Sequence, residues 1–152
     1  MTPLAFVGVA RELALLSKDP STRVGAVIVG PGNEIRASGW NGFPRGVRDL
    51  PERYDDRPTK YKFIAHAEAN AIANAARAGT PTDGCSLVVT ALHPCNECTK
   101  MIIGAGIRRI YAPMPDMEGR WASEFEVAAR MLQEAGIIVE FYHEDDTACP
   151  GP

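Results

Sequence analysis

The chain lacks any excess of positive charge. Lysine and arginine together number 16 against 19 aspartates and glutamates, a formal net charge of −3 over 152 residues. A protein that grips polymeric nucleic acid needs a clustered basic face, so this balance weighs against a DNA or RNA partner and leaves room for a small anion. No apolar run approaches the roughly 18 residues of a membrane span, and no membrane partner is expected. The N-terminal stretch "MTPLAFVGVARELALLSKD" has no basic start before its apolar part and carries Arg11 and Glu12 within it. It reads as an amphipathic helix, not as a secretory signal. Cysteine is sparse: Cys85, Cys95, Cys98 and Cys149. Two disulfides are arithmetically open to them, but a chain of this length has core enough without. With no export signal, a reducing cytoplasm and a metal role are expected. There is no internal repeat, low-complexity tract or linker, so residues 1–152 are read as one domain.

What is present is an alternation of apolar segments. A helix is expected from about Leu4 to Leu16, stopped by "SKDPST", since proline cannot continue it. "VGAVIVG" (24–30) is β-branched and continuous, the mark of a buried strand, and "EIRASGWN" (34–41) returns from the turn "PGN" as a hairpin partner. From Gly42 to Tyr61 glycine, proline and charge recur with no period, so a long functional loop is expected. Helices are expected over 66–78, 95–107 and 121–135, with strands over 85–91, 108–113 and 137–142. Such alternation implies crossover units and a sheet covered on both faces.

The segment "FIAHAEANAI" (63–72) places His66 and Glu68 at the front edge of an alanine-rich helix. Ionisable groups are seldom buried unless paired or metal-bound. The helix carries the chain roughly 20 Å along the sheet, and the following strand returns it by roughly 23 Å. His66 should therefore lie beside Cys95 of "HPCNEC", each at a helix N-terminus, where the partial positive charge favours thiolates. One imidazole and two thiolates, with Cys98 as the third, form a zinc set whose fourth position is left to water. Glu68, offset by about 200° around the helix, is placed to carry protons for that water instead of joining the ligands.

HxE followed by PCxxC is the signature of zinc-dependent nucleobase deaminases. Here it reads His66-Ala67-Glu68 and Pro94-Cys95-Asn96-Glu97-Cys98. Together with "SKDPSTRVGAVIV", "GWNGFPRG" and "KYKFIAHAEANAI", it makes most of residues 17–107 resemble the deoxycytidylate (dCMP) deaminase family. The resemblance implies a three-layer α/β/α fold around a five-stranded mixed sheet. It implies zinc on His66, Cys95 and Cys98, Glu68 as the proton carrier, and dCMP converted to dUMP and ammonia for thymidylate synthesis. Asn41 matches the family's sugar-contacting asparagine, and Ala67, between the ligand and the acid, goes with the substrate site. Family members also form homo-oligomers, hexamers among them, regulated by dCTP and dTTP. After the fourth strand the family pattern has a tyrosine-containing segment, where this chain has "APMPDMEGRWASEF". Arg120 is a candidate for phosphate contact there and Trp121 for a stacking wall. This departure keeps deoxycytidine and 5-substituted dCMP open as substrates.

Other residues carry paired readings. HxE alone is weak, and a lone CxxC is as often a structural knuckle or a redox pair. A zinc-stabilised module that binds a nucleotide without catalysis is the non-enzymatic alternative, which Glu68 argues against. Lys18, Arg23, Arg45 and Arg48 form either a phosphate pocket, with Arg23 as its substrate-binding candidate, or a solvated surface. His93 is either a strand-end histidine satisfied by backbone or an aid to substrate or a second metal. Cys85 is expected in the core and Cys149 idle, unless Cys149 joins Cys85 or His93 in a second structural zinc site. Met101, Ile102 and Ile103 are expected in the core, and Trp40 either in the pocket or on the strand's buried face.

Overall fold

Five short apolar segments pair into one sheet in the order β2-β1-β3-β4-β5. They are β1 (Gly25–Val29), β2 (Ile35–Trp40), β3 (Ser86–Val89), β4 (Arg109–Pro113) and β5 (Ile138–Tyr142). The computed structural model describes residues 3–143; the tail beyond His143, with Cys149, lies outside the described residues. β1 runs antiparallel to both β2 and β3, whereas β3, β4 and β5 are parallel. All five residues of β1 are buried, as its unbroken apolar run requires of a strand with neighbours on both sides.

Helices cover both faces, giving the three-layer mixed α/β arrangement. A 3₁₀ turn (Pro3–Phe6) leads into α1 (Val7–Ala14), and α4 (Ala67–Ala78), α5 (Asn96–Gly104) and α6 (Ala122–Glu134) follow later in the chain. Because strand side chains alternate, Val27, Val29 and Val88 pack with Val7 and Ala10 of α1. Ala26, Ile28, Leu87 and Val89 face the other way, onto Ala71 of α4 and Ile102 of α5. Glycines in the left-handed region close three of these helices, Gly79 (φ 69°) after α4, Gly106 (φ 76°) beyond α5 and Gly136 (φ 70°) beyond α6.

Three local expectations are corrected. The segment read as loop from Gly42 to Tyr61 contains α2 (Pro51–Asp55), and α3 (Arg57–Phe63) begins within it. The Asp56 side chain caps α3 by accepting from the Thr59 N–H at 3.1 Å, and a proline stands in its first turn. The first helix stops at Ala14, leaving Leu15 and Leu16 exposed. Met101 is 42% exposed, one helical step off the buried face that holds Ile102; Cys85 is fully buried, as expected of a core thiol.

The excursion from Gly42 to Ala65 is closed at its base, where the two residues exchange backbone hydrogen bonds of 3.1 and 2.8 Å. Phe43 stacks on Tyr54 at 4.1 Å and tilts against Phe63, so the segment packs on aromatics of its own.

Candidate active site

His66 and Cys95 each stand in extended backbone as the N-cap of a helix, α4 and α5 respectively. Cys98, in the first turn of α5, donates its backbone N–H to the Cys95 sulfur at 3.5 Å. The His66 Nδ1 lies 3.5 Å from Cys95 Sγ and 3.3 Å from Cys98 Sγ. A single ring nitrogen cannot share one proton well between two sulfurs, so this bracket is a coordination geometry. Bond lengths of about 2.05 Å (Zn–N) and 2.3 Å (Zn–S) at the tetrahedral angle give an N···S separation of about 3.6 Å. All three donor atoms lie within 4.8 Å of one another. The residues present fit zinc.

The electrostatics agree with that chemistry. The hydrogen bond with Cys98, then that with His66, hold the Cys95 thiol down at about 4 against burial. The same pairing with Cys95, followed by burial, pushes the Cys98 thiol up, so the first charge belongs to the pair. A divalent cation stabilises both thiolates at once. Glu68 is 4% exposed, and burial pushes its carboxyl above the ordinary carboxylate range. A carboxyl so placed is suited to take up a proton and give it back.

The position of His66 and Glu68 depends on one close approach. A Cβ on Gly39 of β2 would meet the Ala71 nitrogen at 2.5 Å and the Ala67 oxygen at 2.6 Å, so α4 lies backbone-to-backbone on the strand. Asn70 fastens the same helix by donating to the Trp40 carbonyl at 2.8 Å. Gly39→Val is expected to lower stability by about 3 kcal/mol or more and to weaken zinc retention, because α4 must lift and carry His66 with it. Thermal unfolding together with metal content after dialysis checks this.

A cavity of about 620 Å³ opens over His66 and Cys95. His66, Glu68 and Cys95 line it with Ala67, and so do Asn41, Arg120 and Trp121 of the expected substrate residues. Arg23 does not. It is exposed, while its neighbours Thr22 and Val24, tied by their backbone to Asn41, line the wall. Lys18, Arg45 and Arg48 are likewise outside the lining, Lys18 being paired with Asp49 at 3.0 Å. Trp40 is 36% exposed and outside it too, so its indole neither stacks there nor fills the core. His93 has the backbone partner foreseen: its Nδ1 donates to the Pro94 carbonyl at 2.9 Å, and burial holds its pKa down. It also lines the cavity, edge-on to Phe125.

The cations that do reach the cavity are Arg57, Lys60 and Arg120. Among the described residues Arg57 has no acidic partner, and Arg120 donates to the Tyr61 hydroxyl at 3.2 Å with its guanidinium 4.9 Å from the Trp121 ring. Arg57, Lys60 and Tyr61 stand at i, i+3 and i+4, one face of a helix. That spacing was visible in the sequence, but only to a reader who took 57–63 as helical.

A family model described as the cytidine and deoxycytidylate deaminase zinc-binding region matches residues 2–114. Human deoxycytidylate deaminase is 47% identical over 113 residues, covering 71% of this chain, and the chain spans 62% of that relative's length. The mouse deoxycytidylate deaminase is 48% identical over 135 residues, or 86% of this chain and 72% of the relative. The dCMP deaminase of cyanophage S-TIM5, solved in apo form, superposes with a TM-score of 0.72 at 28% identity, over 93% of this chain and all of that one. With the family model spanning the His66, Cys95 and Cys98 cluster and most of the sheet, the chain belongs to the cytidine and deoxycytidylate deaminase zinc-binding family.

Proposed function

We propose that this protein hydrolyses dCMP to dUMP and ammonia, the step that supplies thymidylate synthesis. The observation that carries the reading is a buried carboxylate, Glu68, beside an open three-donor set in a cavity that also holds two guanidinium groups without acidic partners among the described residues. His66, Cys95 and Cys98 would hold the zinc. When bound, zinc acts as a Lewis acid and brings the pKa of water from about 15.7 toward 7. Glu68 accepts one proton of the attacking water and delivers it to N3 of the ring, then takes the second proton from the oxygen now bonded to C4 and gives it to the amino group, which leaves as ammonia as the C4–N bond breaks. Ala67, fully buried between ligand and acid, leaves room for the base, and Trp121 offers it a face. A structure of the S-TIM5 enzyme in complex with dCMP and dUMP, 29% identical with a TM-score of 0.72 over 93% of this chain, supports the choice of substrate.

Arg57 and Arg120, with the Tyr61 hydroxyl, supply donors for the 5′-phosphate, while Asn41 lies toward the sugar. Hydrogen bonds to charged groups contribute about 1.5–3 kcal/mol each. Arg57→Ala and Arg120→Ala should therefore each lower kcat/KM on dCMP by roughly 10- to 100-fold, and lower it on deoxycytidine at least tenfold less. Loss of the amino-pyrimidine absorbance with dCMP, CMP, 5-methyl-dCMP and deoxycytidine measures this. Equal rates on dCMP and deoxycytidine would remove the phosphate assignment and leave the deamination chemistry standing. On this reading residues 1–152 are one catalytic domain, working in the cytoplasm on a free nucleotide, as a homo-oligomer up to a hexamer that answers to dCTP and dTTP. Sedimentation with and without those nucleotides tests the last point.

A further inference from the structure

Among the described ion pairs only Asp19 with Lys60 is buried, their side chains 4% and 8% exposed. In each of the others at least one side chain is more than 40% exposed. Removing two charges from water is costly, and such a pair persists only where further hydrogen bonds complete it. Here they do. The Lys60 Nζ sits 3.3 Å from both Asp19 oxygens. The same carboxylate accepts from the backbone N–H of Ser21 at 2.8 Å and Thr22 at 3.4 Å, and from Asn41 Nδ2 at 3.4 Å.

Asn41 is held from every side by the same segment. Its Nδ2 donates to the Thr22 carbonyl at 2.9 Å, and its Oδ1 accepts from the Val24 N–H at 2.8 Å. Its backbone carbonyl accepts from the Ser17 hydroxyl at 2.8 Å. A backbone N–H can only donate and a carbonyl only accept, so the orientation of the Asn41 amide is fixed. Both its N–H groups are spent on Thr22 and Asp19, which leaves an Oδ1 lone pair as its free hydrogen-bonding site. Asp19, Asn41 and Lys60 all line the cavity, and they come from a loop, a strand end and α3 respectively.

We propose that the Asp19–Lys60 ion pair is a positioning device: it ties α3 to the 19–24 loop and holds the Asn41 amide in the orientation that faces substrate. This rests on the reading of the cavity as a nucleotide site. Lys60 and Asp19 act through Asn41 and the wall it anchors, so substrate binding is what their loss disturbs first.

The test compares the zinc-loaded protein with Lys60→Met and with the double variant Asp19→Asn/Lys60→Met. The single variant leaves a carboxylate buried without its counter-charge and should lose about 10 °C in Tm. The double variant carries no charge at either position and should regain most of that. The amide it introduces in place of the Asp19 carboxylate can turn an N–H toward Asn41 Nδ2, so the kinetic defect should remain. KM for dCMP is expected to rise about tenfold or more in both variants, with a smaller change in kcat and no change in zinc content. NMR supplies a readout free of turnover: the Asn41 side-chain amide protons should exchange slowly in the parent and lose that protection in both variants. An unchanged KM, a double variant that recovers KM along with Tm, or unaltered Asn41 protection would each overturn the proposal. A parent that binds zinc but leaves dCMP intact would remove the functional reading instead, and the Asn41 protection alone would then decide this inference.

Discussion

Glu68→Gln is expected to keep its zinc and to lower kcat on dCMP by about 10²- to 10⁴-fold, the range ascribed to a positioned acid–base group. Glutamine has nearly the shape of glutamate, and at a residue 4% exposed the packing in the first turn of α4 is preserved. What is lost is the ability to take a proton and return it. Burial, which raises the Glu68 carboxyl's pKa, means that an ionised group there is costly unless a cation stands beside it. In the metal-free protein the amide removes that cost, so the Tm of the metal-free variant should hold or rise. Metal analysis, absorbance kinetics and thermal unfolding on one preparation separate these effects. Turnover within tenfold of the parent would show that Glu68 does not carry the proton.

Cys98→Ala is expected to empty the metal site and abolish turnover. Two donors would remain, His66 Nδ1 and Cys95 Sγ, too few for the tetrahedral set with one open position that a catalytic zinc requires. A site held at a thousand times its Kd stabilises the fold by about 4.1 kcal/mol, so Tm should fall by roughly 10 °C on losing it. A chelator should reproduce that drop in the parent and do nothing in the variant. Cys85→Ala is the control: Cys85 is as buried as Cys98 but lies outside the ligand cluster, so its loss should leave zinc content unchanged. Retention of a full complement of zinc by Cys98→Ala would break the ligand assignment.

The two halves of the zinc set were legible because each sits at a boundary that local chemistry marks. The alanine-rich period of α4 ends at Gly79 and begins just after His66; Pro94 and Cys95 stand just ahead of α5. Their convergence followed from a helix and a strand running in opposite directions along the sheet. The observed β3 has only four residues, shorter than the expected strand, and the flanking loops make up the rest of the return path. The excursion from Gly42 to Ala65 was not legible. Its helices have five and seven residues, too few to show a period, and stacked aromatics such as Phe43 on Tyr54 hold it in place. Arg23 was a reasonable guess for a cavity cation on sequence grounds, since it is next to residues that line the wall. The hydrogen bond that Asn41 donates to the Thr22 carbonyl and the one it accepts from the Val24 N–H fix which way that short segment faces.

Outside the excursion from Gly42 to Ala65, the order of helices and strands, together with the metal ligands and the acid beside them, was determined by the sequence itself, because periodicity, capping and residue chemistry act over a few positions. Which cations line the cavity was decided only by the tertiary structure. Lys60 meets Asp19 across 41 residues and Arg120 meets Tyr61 across 59. The direction of a side chain on a short, aperiodic segment is set by such distant partners, and no local pattern encodes them.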